Sequence, residues 1–158
     1  MNARDLIDGA RARLGEAGAP REALGELVVP RRILGLARAP RIERRGSAWH
    51  LGALLLTDDA VLATGDIVRA RQEARRGYTA ESQRQRSELA AAAHRGGFAE
   101  GETVHIGWHA LDPSIPEAPL ALHDGIPSIR WSVSGALMPL EAYLAERVAL
   151  LLDPPAGA

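Results

Sequence analysis

The spacing of apolar side chains predicts several helices near the start of this chain. Over residues 3–17 the apolar positions recur at helical spacing on one face, and Gly18 can end this helix in a left-handed cap. Two shorter helices are predicted over residues 20–27 and 30–39, because a proline at the start of each segment suits the first turn of a helix. The N-terminal quarter of the chain is therefore expected to be helical.

Two further helices are predicted later in the chain. Residues 72–79 are polar and predicted to form a loop, from which Thr79 can cap a helix that runs to Arg95 with its polar first half facing solvent. The final helix begins at Pro139, and its apolar residues form one stripe: Leu140, Tyr143, Leu144, Val148 and Leu151. Such a stripe is typical of a helix that packs on a core.

An apolar hairpin is predicted between these helical regions. Residues 49–57 and 61–71 flank an Asp58-Asp59 turn, so residues whose numbers sum to 117 are expected to face each other. In this register Gly52 lies opposite Gly65, and glycines in strands often mark a place where another backbone approaches closely. We expect the C-terminal helix to cover this place.

Three more strands are predicted in the last third of the chain. Residues 103–111 alternate between apolar and polar side chains, which predicts a strand with one buried face. A proline-rich loop follows over residues 112–119. The Asp124-Gly125 pair then predicts a type I′ turn between the last two strands, since both residues tolerate the positive φ that this turn requires.

Together these elements predict an α+β fold. We expect an antiparallel or mixed sheet of about five strands, with short N-terminal helices, one central helix and one C-terminal helix packed on it. A chain of 158 residues has the usual length of one domain. Residues 1–153 are therefore predicted to form a single domain, and residues 154–158 a flexible tail.

Composition adds an expectation about the compartment. Hydrophobic residues make up 46% of the chain and charged residues 25%, which is typical of globular proteins. No apolar run approaches the ~20 residues needed to span a bilayer, and the N-terminal segment carries acids where a signal peptide needs basic residues. A cytoplasmic location without a membrane partner is the expectation.

Two missing residue types exclude several kinds of chemistry. Without cysteine the chain has no thiol nucleophile, Fe–S cluster or Cys-type zinc site. Because all 19 basic residues are arginine, it also has no Schiff-base lysine, P-loop lysine or serine–lysine dyad. No catalytic residue, metal site or cofactor is predicted.

His105 and His109 are the first candidates for a binding site. On a strand, four residues span about 13 Å, so the two imidazoles cannot easily share the ~2 Å coordination shell of one metal ion. They could instead line one face of a groove, with Gly107 leaving room between them. The alternative is that both lie on the solvated face of a half-buried strand.

The charge of the chain is unevenly distributed. Residues 31–95 contain thirteen arginines and seven acids, a net +6, whereas residues 96–158 contain two arginines and eight acids, a net −6. The basic part could form an anion-binding face from six arginines: Arg31, Arg32, Arg44, Arg45, Arg69 and Arg71. It could equally pair with the acidic part, within one copy or between two. Nucleic-acid binding is not expected, because acids are interspersed among the arginines and few aromatic residues remain for base stacking.

The segments at residues 27–34 (LVVPRRIL) and 95–104 (RGGFAEGETV) resemble a family of short, functionally uncharacterised proteins from high-GC Gram-positive bacteria. The likeness extends over most of the chain. Some members of that family are labelled glutaminase, but serine-dependent glutaminases use a Ser-x-x-Lys motif and amidotransferase-type ones a cysteine nucleophile. This chain has neither lysine nor cysteine, so the resemblance implies no activity and no catalytic residue.

These observations lead to three functional hypotheses. The leading one is a non-enzymatic binding or assembly module, with possible self-association through the basic and acidic parts. The alternatives are an anion- or nucleic-acid-binding protein that uses the Arg-rich residues 31–95, and a small hydrolase-type enzyme that uses histidines and carboxylates. The candidate ligand-binding residues are His105, His109, Arg44, Arg45, Arg69 and Arg71.

Overall fold

The computed structural model describes residues 1–32, 34–36, 38–72 and 80–158, and the fold has the predicted α+β class. In chain order the elements are α1 (Ala3–Glu16), β1 (Glu22–Val28), β2 (Arg41–Leu51), β3 (Leu54–Leu56), β4 (Val61–Ala63), β5 (Asp66–Arg69), α2 (Glu81–Arg95), β6 (Thr103–Ile106), β7 (His109–Leu111), β8 (Leu120–His123), β9 (Ile126–Arg130), β10 (Leu137–Pro139) and α3 (Leu140–Leu152). The strands form a mixed seven-stranded sheet and an antiparallel three-stranded sheet, more than the five predicted. None of the described helices is long and apolar enough to cross a membrane.

The chain folds into two compact units. The first unit comprises Met1–Arg21, Ala48–Thr64 and His109–Ala158, and the second unit comprises Glu22–Ser47 and Gly65–Trp108. β2 contributes residues to both, because the division falls between Ser47 and Ala48. The prediction of one domain over residues 1–153 stays a prediction.

The first unit is built around the two terminal helices, both of which were predicted. The Asn2 side chain caps α1 by accepting a hydrogen bond from the Asp5 N–H at 2.9 Å, and Gly18 follows the helix with a φ of +60°. α3 begins directly after Pro139. The largest fully buried side chains of the core that these helices cover are Ile7, Leu14, Leu51, Leu54, Leu56, Ile129, Leu140 and Tyr143.

The strands of the first unit confirm the predicted hairpin only in part. β3 and β4 pair so that residue numbers sum to 117, as predicted for a turn at Asp58-Asp59. The preceding strand, however, turns back at Gly52, where φ is +64°, and β2 pairs with β3. The expected pairing of Gly52 with Gly65 is therefore wrong. The prediction that the C-terminal helix packs over Gly52 is correct, because α3 places the Tyr143 hydroxyl directly over this residue.

In the second unit, α2 packs on four strands in the order β5-β6-β1-β2, and β2 contributes Ile42 to this core. β1 and β6 run parallel, whereas β5 and β6 run antiparallel. α2 contributes small side chains to this core, since Ala92 and Ala93 are buried in it with Val104, Ile106 and Phe98. The predicted helix ending at Arg95 is confirmed, while its expected cap, Thr79, lies outside the described residues.

The two short helices predicted over residues 20–27 and 30–39 are wrong wherever the structure describes these segments. Residues 22–28 form β1, because pairing with β6 buries Ala23 and Leu24 and outweighs the local helical pattern. In the second segment Leu34 has a φ of +55°, which a right-handed helix does not allow. Ile33 and Ala37 lie outside the described residues.

The strand predicted over residues 103–111 is two strands. β6 and β7 are separated at Gly107, where φ is +69°. The predicted alternation fails in β6, because its last three residues are all buried. The Asp124-Gly125 turn is confirmed, with φ values of +49° and +76° between β8 and β9.

Candidate anion-binding cleft

A cleft of about 310 Å³ lies in the second unit between β5 and α2. Its polar lining consists of Arg69, Arg71, Gln72, Gln83, Arg86 and Ser87. Its apolar lining consists of Ile67, Val68, Leu89 and Ala90. Among the described residues that line the cleft, none is acidic. The cleft therefore combines a strongly basic rim with an apolar wall.

Backbone hydrogen bonds hold the β5 side of the cleft in place. The Arg71 N–H donates to the Ala90 carbonyl in α2 at 3.1 Å. The Ala70 N–H donates to the Glu102 carbonyl at 3.0 Å, and the Ala70 carbonyl accepts from the Gly101 N–H at 2.7 Å. Hydrogen bonds to α2 on one side and to residues 101 and 102 on the other therefore hold the backbone after β5. These bonds fix the backbone position of Arg71 at the cleft.

The α2 side of the cleft comes from one face of the helix. Gln83, Arg86, Ser87 and Ala90 recur at intervals of three and four residues, so they form a continuous row along the helix. The first six residues of α2 are exposed, as predicted for this polar segment. Part of that polar surface is a wall of the cleft.

Three arginines line the cleft: Arg69 on β5, Arg71 just after it and Arg86 on α2. Arg69, Arg71 and Arg86 are exposed, and none of them forms an ion pair with a residue in the described ranges. Several other arginines of the second unit are engaged with acids: Arg41 with Glu43, Arg44 with Glu102, Arg45 with Glu26 and Arg84 with Glu81. The cleft therefore gathers arginines that form no ion pair with a described carboxylate, although the Glu100 carboxylate accepts a hydrogen bond from the Gln72 N–H at 3.0 Å.

The structure brings together only some of the predicted arginines. Arg69 and Arg71 line the cleft, but Arg44 and Arg45 lie on β2. The Arg44 guanidinium lies 2.8 Å from a carboxylate oxygen of Glu102, and that of Arg45 lies 2.7 Å from Glu26. Both are ion-paired within their own unit. Arg86 was not predicted, although its helical spacing from Gln83 and Ala90 was a usable signal.

The two predicted histidines lie in different units. His109 is exposed on β7, whereas His105 is fully buried on β6. The alternative in which both histidines lie on the solvated face of one strand is therefore wrong for His105. Its Nε2 atom lies 3.5 Å from the Oε2 atom of Glu22, a carboxylate that the sequence did not single out.

The Arg44–Glu102 pair joins the basic and acidic parts of the sequence within one chain. Burial of the Glu102 carboxyl works to raise its pKa, but the hydrogen bonds from the Arg44 guanidinium and the Ala99 N–H hold the pKa below its usual value. Pairing of the basic part with the acidic part within one copy was one of the alternatives drawn from the uneven charge, and the Arg44–Glu102 ion pair is an example of it. Association between two copies stays a prediction.

Replacing Glu102 by Gln should weaken folding by less than about 1 kcal/mol at pH 7, because the Arg44 side chain is half exposed. A carboxyl with a lowered pKa stabilises the fold above its unfolded pKa of about 4.3, and that contribution disappears as pH falls through the folded pKa. The urea midpoints of the wild type and Glu102→Gln should therefore differ at pH 7 and converge at pH 3. A difference of equal size at both pH values would contradict the lowered pKa of the Glu102 carboxyl.

A larger cavity of about 540 Å³ lies in the first unit. Its described lining is mainly apolar and proline-rich, and Arg4 is its only charged residue there. The Arg4 guanidinium is 3.4 Å from the Asp112 carboxylate, so this charge is already paired. The cavity therefore lacks the unpaired charge that distinguishes the cleft of the second unit.

Comparison of the chain with protein-family models, curated proteins and solved structures finds no match. The resemblance to proteins of high-GC Gram-positive bacteria stays a prediction. The function is therefore argued from the geometry of the residues.

Proposed function

We propose that this protein binds a small organic anion in the cleft between β5 and α2. One observation carries the proposal: three arginines that form no ion pair with a described acid line a cleft of about 310 Å³ whose described lining contains no acid. Like charges gathered at one place repel each other, and a bound anion would relieve that repulsion. The proposal develops the two binding hypotheses drawn from the sequence.

The lining indicates the chemical class of the ligand. Guanidinium groups bind phosphate and carboxylate through paired, charge-assisted hydrogen bonds. Leu89 and Ala90 on α2 are half-buried, which offers apolar contact next to the charges. A cleft of about 310 Å³ is at the small end of ligand sites, which range from about 300 to 1,000 Å³. We therefore expect an anion with a compact apolar body.

Phenyl phosphate is a suitable probe, because it carries both the anionic group and a compact apolar ring. We expect isothermal titration calorimetry to show that it binds more tightly than either inorganic phosphate or phenol. The double variant Arg71→Gln/Arg86→Gln should weaken its binding by about a hundred-fold or more, because each of the two lost hydrogen bonds to a charged group contributes about 1.5–3 kcal/mol.

Arg84→Gln is the matched control for this measurement. Arg84 lies on the same helix and is exposed, but it does not line the cleft and lies 3.6 Å from the Glu81 carboxylate. Its replacement should change the affinity less than twofold. An equal loss in the control variant, or equal binding of phenol, would overturn the proposal.

A mixed oligonucleotide pool separates this proposal from nucleic-acid binding. A strand that contacts several phosphates would bind with a steep salt dependence, the logarithm of its affinity falling by about 0.7 per phosphate contact. We expect weak binding and a shallow slope, since the cleft offers three arginines in a small space. Micromolar oligonucleotide binding with a steep slope would contradict the small-anion proposal.

A further inference from the structure

The second unit contains a pair of ionisable side chains, one buried and one partly exposed, that does not line the cleft. His105 on β6 has no exposed surface, and the side chain of Glu22, the first residue of β1, is 33% exposed. The His105 Nε2 and Glu22 Oε2 atoms are 3.5 Å apart. Both groups are common ligands of divalent metal ions.

The parallel pairing of β1 with β6 produces this arrangement. Ala23 faces Val104 and Leu24 faces His105 in the register. Ala23 and Val104 belong to the core that α2 covers, and successive side chains of a strand point to opposite faces. Glu22 and His105 therefore both lie on the face of the sheet away from α2.

The distance between the two ligand atoms fits a metal ion. Zinc lies about 2.0–2.2 Å from imidazole nitrogen and carboxylate oxygen in tetrahedral sites, which puts two ligand atoms about 3.4 Å apart. At 3.5 Å, the two ligand atoms are close enough for one ion to contact both.

We propose that His105 Nε2 and Glu22 Oε2 are two ligands of a divalent transition-metal site. The imidazole and carboxylate ligands favour zinc or cobalt over magnesium and calcium, which prefer oxygen ligands alone. The site does not depend on the anion-binding cleft, because it shares no residue with it. This proposal also differs from the His105–His109 metal pair that the sequence argued against.

The test is titration of chelator-treated, full-length protein with ZnCl₂ and CoCl₂, followed by calorimetry and visible absorption. We expect binding of one ion per chain and a cobalt absorption band in the visible range. Glu22→Gln and His105→Asn should each weaken zinc binding at least ten-fold, as expected for loss of a direct ligand.

His109→Asn is the control, because His109 is an exposed histidine on β7 in the other unit. It should leave the affinity unchanged. Circular dichroism shows whether His105→Asn folds. If it does not fold, the zinc affinity of Glu22→Gln, a change at a partly exposed side chain, tests the proposal on its own. An absence of binding at 1 mM zinc, or an affinity that Glu22→Gln leaves unchanged, would overturn the proposal.

Discussion

Replacing Gly52 by alanine is expected to lower the free energy of unfolding by about 3 kcal/mol or more. Gly52 has a φ of +64°, and an L-residue in this left-handed conformation costs about 1–2 kcal/mol. A Cβ atom would in addition overlap the Tyr143 hydroxyl and lie 3.2 Å from Arg147 Nε. Overpacking of this kind costs a further ~1–3 kcal/mol.

The Tyr143 hydroxyl cannot move away without losing hydrogen bonds. It donates to the Leu51 carbonyl at 2.9 Å and accepts from the Ala53 N–H at 2.7 Å. It therefore ties α3 to both sides of the turn that contains Gly52. Displacement of this hydroxyl would leave the two backbone groups without their partner, which adds to the steric cost.

Gly18→Ala is the matched control for this prediction. Gly18 has a φ of +60°, close to that of Gly52, but no atom lies within 4 Å of its Cβ position. The control should therefore show the backbone strain alone, about 1–2 kcal/mol. Urea unfolding of both variants measures the difference, and equal losses would mean that α3 does not cover Gly52 closely.

Replacing Gly96 by alanine is the second large effect that we expect. Gly96 has a φ of −76°, which alanine adopts without strain. A Cβ atom at Gly96 would, however, overlap the Ile42 carbonyl oxygen and lie 2.8 Å from its carbon. Backbone cannot rotate away as a side chain can, so α2 must shift from β2. We expect a loss of about 3 kcal/mol.

Gly9→Ala provides the opposite control. Gly9 lies inside α1, and no atom lies within 4 Å of its Cβ position. Because alanine favours the helix over glycine, this change should raise stability by about 0.5–1 kcal/mol. Thermal unfolding of the two variants should therefore give midpoints on opposite sides of the wild type. A Gly96→Ala midpoint at or above the wild-type value would contradict the close approach of α2 to β2.

The sequence predicted those elements whose signal is local. The Asp124-Gly125 turn needs only positive φ values that its two residues tolerate, and the structure has them. α1 and α3 repeat their apolar positions over at least three turns, enough to define a buried face. The register of β3 and β4, in which the numbers of paired residues sum to 117, likewise follows from one short turn.

The failures occur where distant residues decide the structure. The segment of β1 was predicted as a helix because Pro20 suits a first helical turn, and its seven residues are too few for a period to show otherwise. Its strand conformation comes from parallel pairing with β6. Gly52 was assigned to a continuous strand, yet its positive φ reverses the chain and shortens the hairpin. Neither event has a signal within a short window of sequence.

The residues of the candidate sites also divide into those that a local signal predicts and those that only distant pairing brings together. Arg69 and Arg71 were predicted from local charge, and Arg86 could have been added from the spacing along α2. Glu22 and His105 are 83 positions apart in sequence, and only the β1–β6 register brings them together. The burial of His105 was also invisible, because one polar residue between two apolar ones is typical of a solvated face.

Chemical-shift mapping of phenyl phosphate on the full-length protein tests the central claim most directly. We predict that the backbone amide signals of Arg71, Gln72 and residues 83–90 shift together and saturate with one affinity. Amide signals of the first unit, including those around its cavity at Arg4, should stay in place. Saturable shifts confined to the first unit, or to the arginines of β2, would contradict the proposal that the cleft between β5 and α2 binds the anion.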